Sequence, residues 1–299
     1  MYYSFYGFKN KPFELIPDPN MVFMRQAHRE ALSVLMYGQM SNKAFLLLTG
    51  NVGTGKTTLI RVLLNTIFNS NKVLLIDHPT FSISDFYYYL AFKYGLSEYT
   101  GNKAKFLIEF EEFLKNCKSN KERVLLIIDE AHLIPLDLFE EIRLLSNHDH
   151  KYNVLSIFLV GQPELNERLT EQKLQALRQR ISIRFHLDPF SEKETGGYIN
   201  FRLIKAGTTR TSLFEQEAIK LIHQAAKGNP RLINILCDHA LINGFAEAKR
   251  TIDVKIVKES IADLQIPGEE NFNPKDPSES FIMKKFNDVN LRWSGKGKN

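Results

Sequence analysis

The residues with the most distinctive chemistry are Gly50-Asn51-Val52-Gly53-Thr54-Gly55-Lys56-Thr57. Their spacing is G-x-x-x-x-G-K-[ST], which suits a phosphate-binding loop when a strand precedes it and a helix follows. Glycines let the backbone wrap an anion without Cβ collisions, so that successive N–H groups and a helix N-terminus point at the phosphates. Lys56 can reach the β- and γ-phosphates, and Thr57 can offer its hydroxyl to magnesium. Gly50 through Thr58 are therefore the expected nucleotide-binding residues. The alternative is a plain glycine-rich turn before a helix.

Further along, Val124-Leu-Leu-Ile-Ile-Asp129-Glu130-Ala-His132 is an apolar run ending in two carboxylates. Beside a phosphate loop, the first, Asp129, is placed to hold magnesium with Thr57, and the second, Glu130, to orient or deprotonate an attacking water. An ordinary strand cap with surface acids is the alternative. His132 is expected to be packed or solvated beside the pair rather than catalytic. The letters Asp-Glu-Ala-His also occur in a class of helicases. A helicase needs a second ATPase-like core, and no second parallel-sheet pattern follows Pro189.

Three more positions carry weaker signals. Gln162, in Val160-Gly161-Gln162-Pro163-Glu164-Leu165, ends another apolar run and would lie near a γ-phosphate if its strand neighbours the acidic one. A strand-terminating turn is the alternative. Arg178 and Arg180 precede a further strand, and one of them, preferably Arg180, could reach a neighbouring subunit's nucleotide. Surface or internal salt bridges are the competing reading. Arg231 opens a helix after Gly228-Asn229-Pro230, where the helix dipole favours anions. A phosphate facing it would explain the placement, and a surface arginine is the alternative.

The elements that must position these residues are legible in outline. Strands are expected at Ala44–Thr49, Val73–Asp77, Val124–Asp129, Val154–Val160 and Ser182–Leu187. Helices are expected at residues 27–40 and at Thr57–Asn69, Ser84–Tyr94, Ala104–Lys118 and Leu138–Ser146. Alternating strands and helices with apolar strand interiors predict an α/β fold, a parallel sheet covered by helices on both faces. After Pro189 four helical stretches follow without strands: Ser191–Ala206, Phe214–Lys227, Pro230–Ala248 and Val254–Leu264. They predict a small all-helical lid domain. The expected organisation is an aromatic, proline-punctuated arm at 1–26, an α/β ATPase domain at 27–189, the lid at 190–266 and a disordered tail at 267–299. Residues 1–25 read as extended chain and turns, with Pro12, Pro17 and Pro19.

The 299 residues carry a formal net charge of +5, which permits acidic or nucleic-acid partners without requiring them. Two distant cysteines, Cys117 and Cys237, indicate neither a disulfide framework nor a metal site and fit a reducing cytosol. Met1 to Phe8 lack the basic segment and apolar run of a secretory leader. The longest apolar runs fall well short of the ~20 residues a membrane-spanning helix needs.

Taken together, these residues resemble the AAA+ ATPases of the general secretion pathway A type (ExeA/GspA) and pilus-associated relatives such as MshM. The likeness runs from the first residues to about Leu264. It includes Tyr6-Gly7-Phe8, Pro12-Phe13, Pro17-Asp18-Pro19, His28 with Glu30-Ala31-Leu32, the phosphate loop and Asp129-Glu130-Ala131-His132. Leu144-Leu145-Ser146-Asn147, Gly161-Gln162-Pro163-Glu164-Leu165, Arg178-Gln179-Arg180 and Gly228-Asn229-Pro230-Arg231 also match. The resemblance implies ATP and Mg2+ as ligands, hydrolysis served by Asp129 and Glu130, Gln162 as a first sensor and Arg231 as a second. It also implies an arm that lines the adenine pocket. Longer relatives continue into a membrane span and a peptidoglycan-binding domain, and the expectation here is a short member near secretion, pilus or exopolysaccharide loci. Expected partners are further copies of the chain and envelope secretion or pilus-assembly proteins. The expected location is cytoplasmic, with attachment to the inner membrane through a partner. The same domain is similar to the transposition regulators of the MuB/TniB type, so a DNA-binding ATPase is the alternative.

Overall fold

Two units divide the chain in the computed structural model, which describes residues 2–15, 22–41, 43–67, 71–208 and 212–266. The expected tail at 267–299, the Pro17-Asp18-Pro19 segment and the predicted helix end at Asn69 lie outside the described residues. One unit is Met24–Pro189, and the other combines Met1–Phe23 with Phe190–Asn299. The first helix of the chain, α1 (Tyr2–Tyr6), belongs to the latter.

The α/β unit begins with α2 (Gln26–Met40), followed by β1 (Phe45–Thr49), α3 (Lys56–Ile67) and β2 (Asn71–Ile76). Next come α4 (Ile83–Tyr94), α5 (Lys103–Ser119), β3 (Arg123–Ile128) and α6 (Leu136–Leu145). It closes with β4 (Leu155–Gly161), α7 (Glu164–Arg168), α8 (Gln175–Arg180) and β5 (Ile181–His186). The five strands are parallel in the order β2-β3-β4-β1-β5. The central strands β1 and β4 are buried at every position, and β3 at all but its first residue. The flanking strands are less buried: β2 buries only Leu74 and Ile76, and β5 only Ile181, with more and less exposed residues alternating after it. That contrast follows from position, because a central strand covered on both faces is buried throughout and so largely apolar, Thr49 and Ser156 being the polar exceptions in β1 and β4.

Side chains leave a strand alternately, so the sheet makes two cores. Leu46, Leu48, Leu125, Ile127, Phe158 and Val160 pack with Ala31 and Leu35 of α2 and with Leu59, Ile60 and Leu63 of α3. Leu47, Leu126, Ile128, Ile157 and Leu159 pack with residues such as Phe86, Phe110 and Phe139 from the helices of the other face. Register places all the functional strand tips at one edge: Ile128 pairs with Leu159, and Thr49 with Gly161.

The helical unit contains α9 (Glu192–Lys205), α10 (Gln216–Ala226), α11 (Pro230–Ala246) and α12 (Val254–Asp263). Side-chain caps mark several of its helix starts. Ser191 and Glu194 form a reciprocal capping box on α9, and Asp253 caps α12. The extended-arm expectation for residues 1–25 is corrected at its beginning, where Tyr2–Tyr6 form α1. Tyr2 and Tyr6, four apart, share one helix face and both are buried. Tyr2 also donates its hydroxyl to Asp238. Phe8 and Phe13 join the same core. The buried Arg202 donates to the carbonyls of Pro12 at 2.5 Å and Glu14 at 2.8 Å, fixing the arm to α9.

Candidate active site

Between β1 and α3 the chain turns through Gly50–Gly55, and two glycines there are required by shape. A Cβ on Gly50 would lie 2.7 Å from the Leu187 carbonyl oxygen. Gly55 has φ +100, a conformation that L side chains rarely adopt, and a Cβ there would lie 3.2 Å from Nε2 of His28. Thr54 ties the loop to itself by donating its hydroxyl to the Asn51 carbonyl at 2.8 Å. Val52 is half-exposed at the outer bend.

Lys56 is the first residue of α3 and is buried. Its ammonium donates to the carbonyls of Gly50 at 2.8 Å and Asn51 at 3.0 Å. Burial lowers its pKa, while the carboxylates of Glu130, Asp129 and Glu164 oppose that shift. One residue on, Thr57 donates its hydroxyl to Oδ2 of Asp129 at 2.7 Å. Asp129 is buried at the tip of β3, and its Oδ1 accepts the backbone N–H of Glu130 at 2.9 Å. The loop and the acidic pair, separated by 72 positions at this contact, are thus joined.

Glu130 adopts φ 50, in the left-handed region, and starts a 3-10 turn at Ala131–Leu133. The turn brings the His132 ring against both Glu130 and Gln162. Nδ1 of His132 lies 3.4 Å from Oε2 of Glu130. On the other side, Nε2 lies 3.0 Å from the Gln162 side-chain amide nitrogen, and the Gln162 backbone N–H is 3.4 Å from Nδ1. Gln162 follows β4, the neighbour of β3, as its expected role requires. His132 is packed, as expected, although its contacts to both polar partners were not foreseen.

The remaining residues lie on other elements. Arg180 ends α8 directly before β5 and donates to Ser146 Oγ at 2.8 Å and to the Arg143 carbonyl at 3.3 Å. Burial and the adjacent Arg143 lower its pKa, with Glu140 opposing. Arg178 is exposed on the same helix. Arg231 lies in the helical unit, exposed in the first turn of α11, where its N–H is capped by Asn229 Oδ1 at 2.9 Å. Two neighbours of the site were given no role from the sequence, although His28 was among the residues that carry the family likeness. His28 walls Gly55, and Arg168 of α7 donates to the carbonyls of His132 and Ile134. Their partners are distant in sequence, and no local spacing signals them.

The residues fit a nucleoside triphosphate with a divalent cation. The loop packs too closely at Gly50 to admit a Cβ, a buried ammonium lies inside it, and the Thr57 hydroxyl meets the Asp129 carboxylate beside it. Among the described residues no group of three or more His, Cys, Asp or Glu could hold a metal by itself. Magnesium needs no such cage, since it is bound by one or two carboxylates together with water and substrate phosphates.

Fold and site together define the AAA+ class of P-loop ATPases, and residues 39–169 match the family described as an AAA domain. The chain belongs to that class and is related to general secretion pathway protein A of Aeromonas hydrophila. The two are 34% identical over 274 residues, 90% of this chain and 50% of the relative. The chain spans about half the length of the curated relatives it matches. Among solved structures, the Aeropyrum pernix ORC2 protein in ADPNP–ADP complexes has a TM-score of 0.62 at 18% identity, covering 85% of this chain and 72% of that one. Drosophila ORC bound to DNA gives 0.65 at 16% identity, covering 96% and 78%. At these identities the likeness is one of fold. Among the described residues no helix is long and apolar enough to cross a membrane.

Proposed function

We propose that this chain binds ATP with magnesium, hydrolyses it to ADP and phosphate, and uses the cycle as an assembly factor for a secretion, pilus or exopolysaccharide-export system. The observation that carries the nucleotide reading is the 2.7 Å bond between Thr57 and Asp129 beside the buried Lys56. Amides of residues 50–58 and the α3 N-terminus hold the phosphates, with Lys56 on the β- and γ-oxygens. Thr57 and Asp129 hold magnesium, which when bound neutralises charge developing on the phosphates. Glu130 orients and deprotonates the attacking water, and Gln162 positions the γ-phosphate and that water. Arg180 acts from a neighbouring copy in a homo-oligomer, and Arg231 meets the nucleotide as a second sensor. The secretion role is supported by the relative named above, and it implies a cytoplasmic protein tied to the inner membrane through its partner.

Phosphate release tests the chemistry. Glu130→Gln is expected to lower kcat by about 10²-fold or more, in the range for a general base, with ATP still bound. Equal rates in parent and variant would remove Glu130 from the mechanism. The net charge of +5 supports a second reading, a DNA-binding ATPase that regulates transposition. ATP-dependent retention of duplex DNA, weakening steeply as salt rises, would establish it. No retention at low salt would dismiss it.

A further inference from the structure

The geometry points to His132 as a positioning residue that couples Gln162 to Glu130, so that the state of the first sensor sets the carboxylate that handles water. This rests on the roles proposed above for those two residues. Several features hold the ring in place. The left-handed backbone of Glu130 turns the chain at the tip of β3, and Gly161 lets β4 approach that turn closely. A Cβ on Gly161 would lie 3.2 Å from the His132 backbone nitrogen and 3.5 Å from that of Ala131. Arg168 then fixes the turn through the carbonyls of His132 and Ile134.

Held this way, the imidazole has two bonding patterns. With the proton on Nδ1, the ring faces Oε2 of Glu130 at 3.4 Å, and Nε2 accepts from the Gln162 amide at 3.0 Å. With the proton on Nε2, Nδ1 accepts the Gln162 backbone N–H at 3.4 Å, and Nε2 donates to the amide oxygen once the amide turns over. Only the first pattern engages Glu130. Oε2 of Glu130 is buried and accepts no hydrogen bond from any described group, and Nδ1 of His132 lies 3.4 Å from it, close enough to take up that role. Turning the Gln162 amide toward a γ-phosphate changes what Nε2 meets, and so changes whether Nδ1 holds the carboxylate. His132 itself touches no reacting atom in this scheme.

The test uses the full chain and compares His132→Ala, Gln162→Ala and the double variant in steady-state phosphate release, with ATP affinity measured on the same samples. His132→Ala is expected to lower kcat by about 10- to 100-fold, the scale of a misplaced reacting group, with ATP affinity within about twofold of the parent. The double variant is expected to be no slower than the slower single variant, because the two residues act as one unit. His132→Gln, which keeps a donor and an acceptor, is expected to recover part of the loss. Unchanged kcat in His132→Ala would overturn the inference, as would losses that multiply in the double variant. If His132→Ala does not fold, His132→Asn and its double with Gln162→Ala give the same readout. Should Glu130→Gln and Gln162→Ala leave kcat intact, the assignments under the proposed function fail. Should they lower it while His132→Ala does not, only the coupling fails.

Discussion

The two units place their functional side chains by different means. In the α/β unit, Asp129, Gln162 and Gly50 all follow directly on buried parallel strands, and the ladder fixes their depth. A slip of one residue would send each core side chain to the opposite face, so the burial of β1, β3 and β4 specifies the register strongly. In the helical unit, Arg231 is held by a helix start, with Asn229 accepting from the first N–H groups of α11 and Pro230 in the first turn. Such a cap contributes ~1 kcal/mol. The groups proposed to meet phosphate and metal therefore follow directly on the strand ladder. Arg231, proposed above as a second sensor, sits on a helix cap instead.

Arg180 offers the largest test, because it belongs to the α/β unit yet is placed by a side-chain bond to Ser146 rather than by a strand. As a trans arginine it is expected to cost about 10³-fold in kcat when changed to alanine, with ATP affinity nearly intact, since such a group acts on the transition state. Arg178→Ala, removing the exposed neighbour, is the control. If Arg178→Ala carries the loss and Arg180→Ala changes only the melting temperature, Arg180 is a brace between α8 and the end of α6. The trans role would then pass to Arg178.

Lys56→Ala addresses the ladder-fixed side of the comparison. Charge-assisted hydrogen bonds contribute ~1.5–3 kcal/mol, so ATP affinity is expected to fall about 10- to 100-fold. Fluorescent-nucleotide titration would measure it. The fold should survive, because truncation also removes a desolvated ammonium whose pKa burial already lowers. Unchanged affinity would refute the cradle and, with it, the idea that the ladder positions a phosphate site.

What was legible in the sequence follows the same division. The phosphate loop could be read because its chemistry is local: glycines, lysine and threonine at fixed spacing between a strand and a helix. The central strands could be read because burial on both faces makes them continuously apolar. The short α7, five residues long, and α8, six residues long, show too few turns for a helical period to emerge. α1 was hidden among aromatics and prolines, and it forms because Tyr2 and Tyr6 find a core supplied by residues about two hundred positions away. The same limit hid His132 between Glu130 and Gln162. The Gln162 contact spans 30 positions, and only the pairing of β3 with β4 makes it inevitable. Arg180 shows the limit from the other side. Its sequence neighbours left a trans role and an internal salt bridge open, whereas Ser146 and the Arg143 carbonyl engage it within the α/β unit.

The smallest effect tests the helix cap itself. Pro230 brings no N–H to the first turn of α11, so the donors to be satisfied there are those of Arg231 and Leu232. Asn229 Oδ1 accepts both, at 2.9 Å and 3.4 Å. Asn229→Ala removes that acceptor and is expected to destabilise the helical unit by about 1 kcal/mol, read as a lower urea midpoint with an unchanged slope. The α/β unit keeps its ladder, so ATP affinity through Lys56 should stay within about twofold. Hydrolysis should fall less than in Arg231→Ala, because fraying the first turn blurs the arginine's position without deleting its charge. If Asn229→Ala and Arg231→Ala are equally damaging, the cap is itself part of the sensing apparatus. The proposed division between a strand-held binding site and a cap-held sensor would then have to be redrawn at this turn.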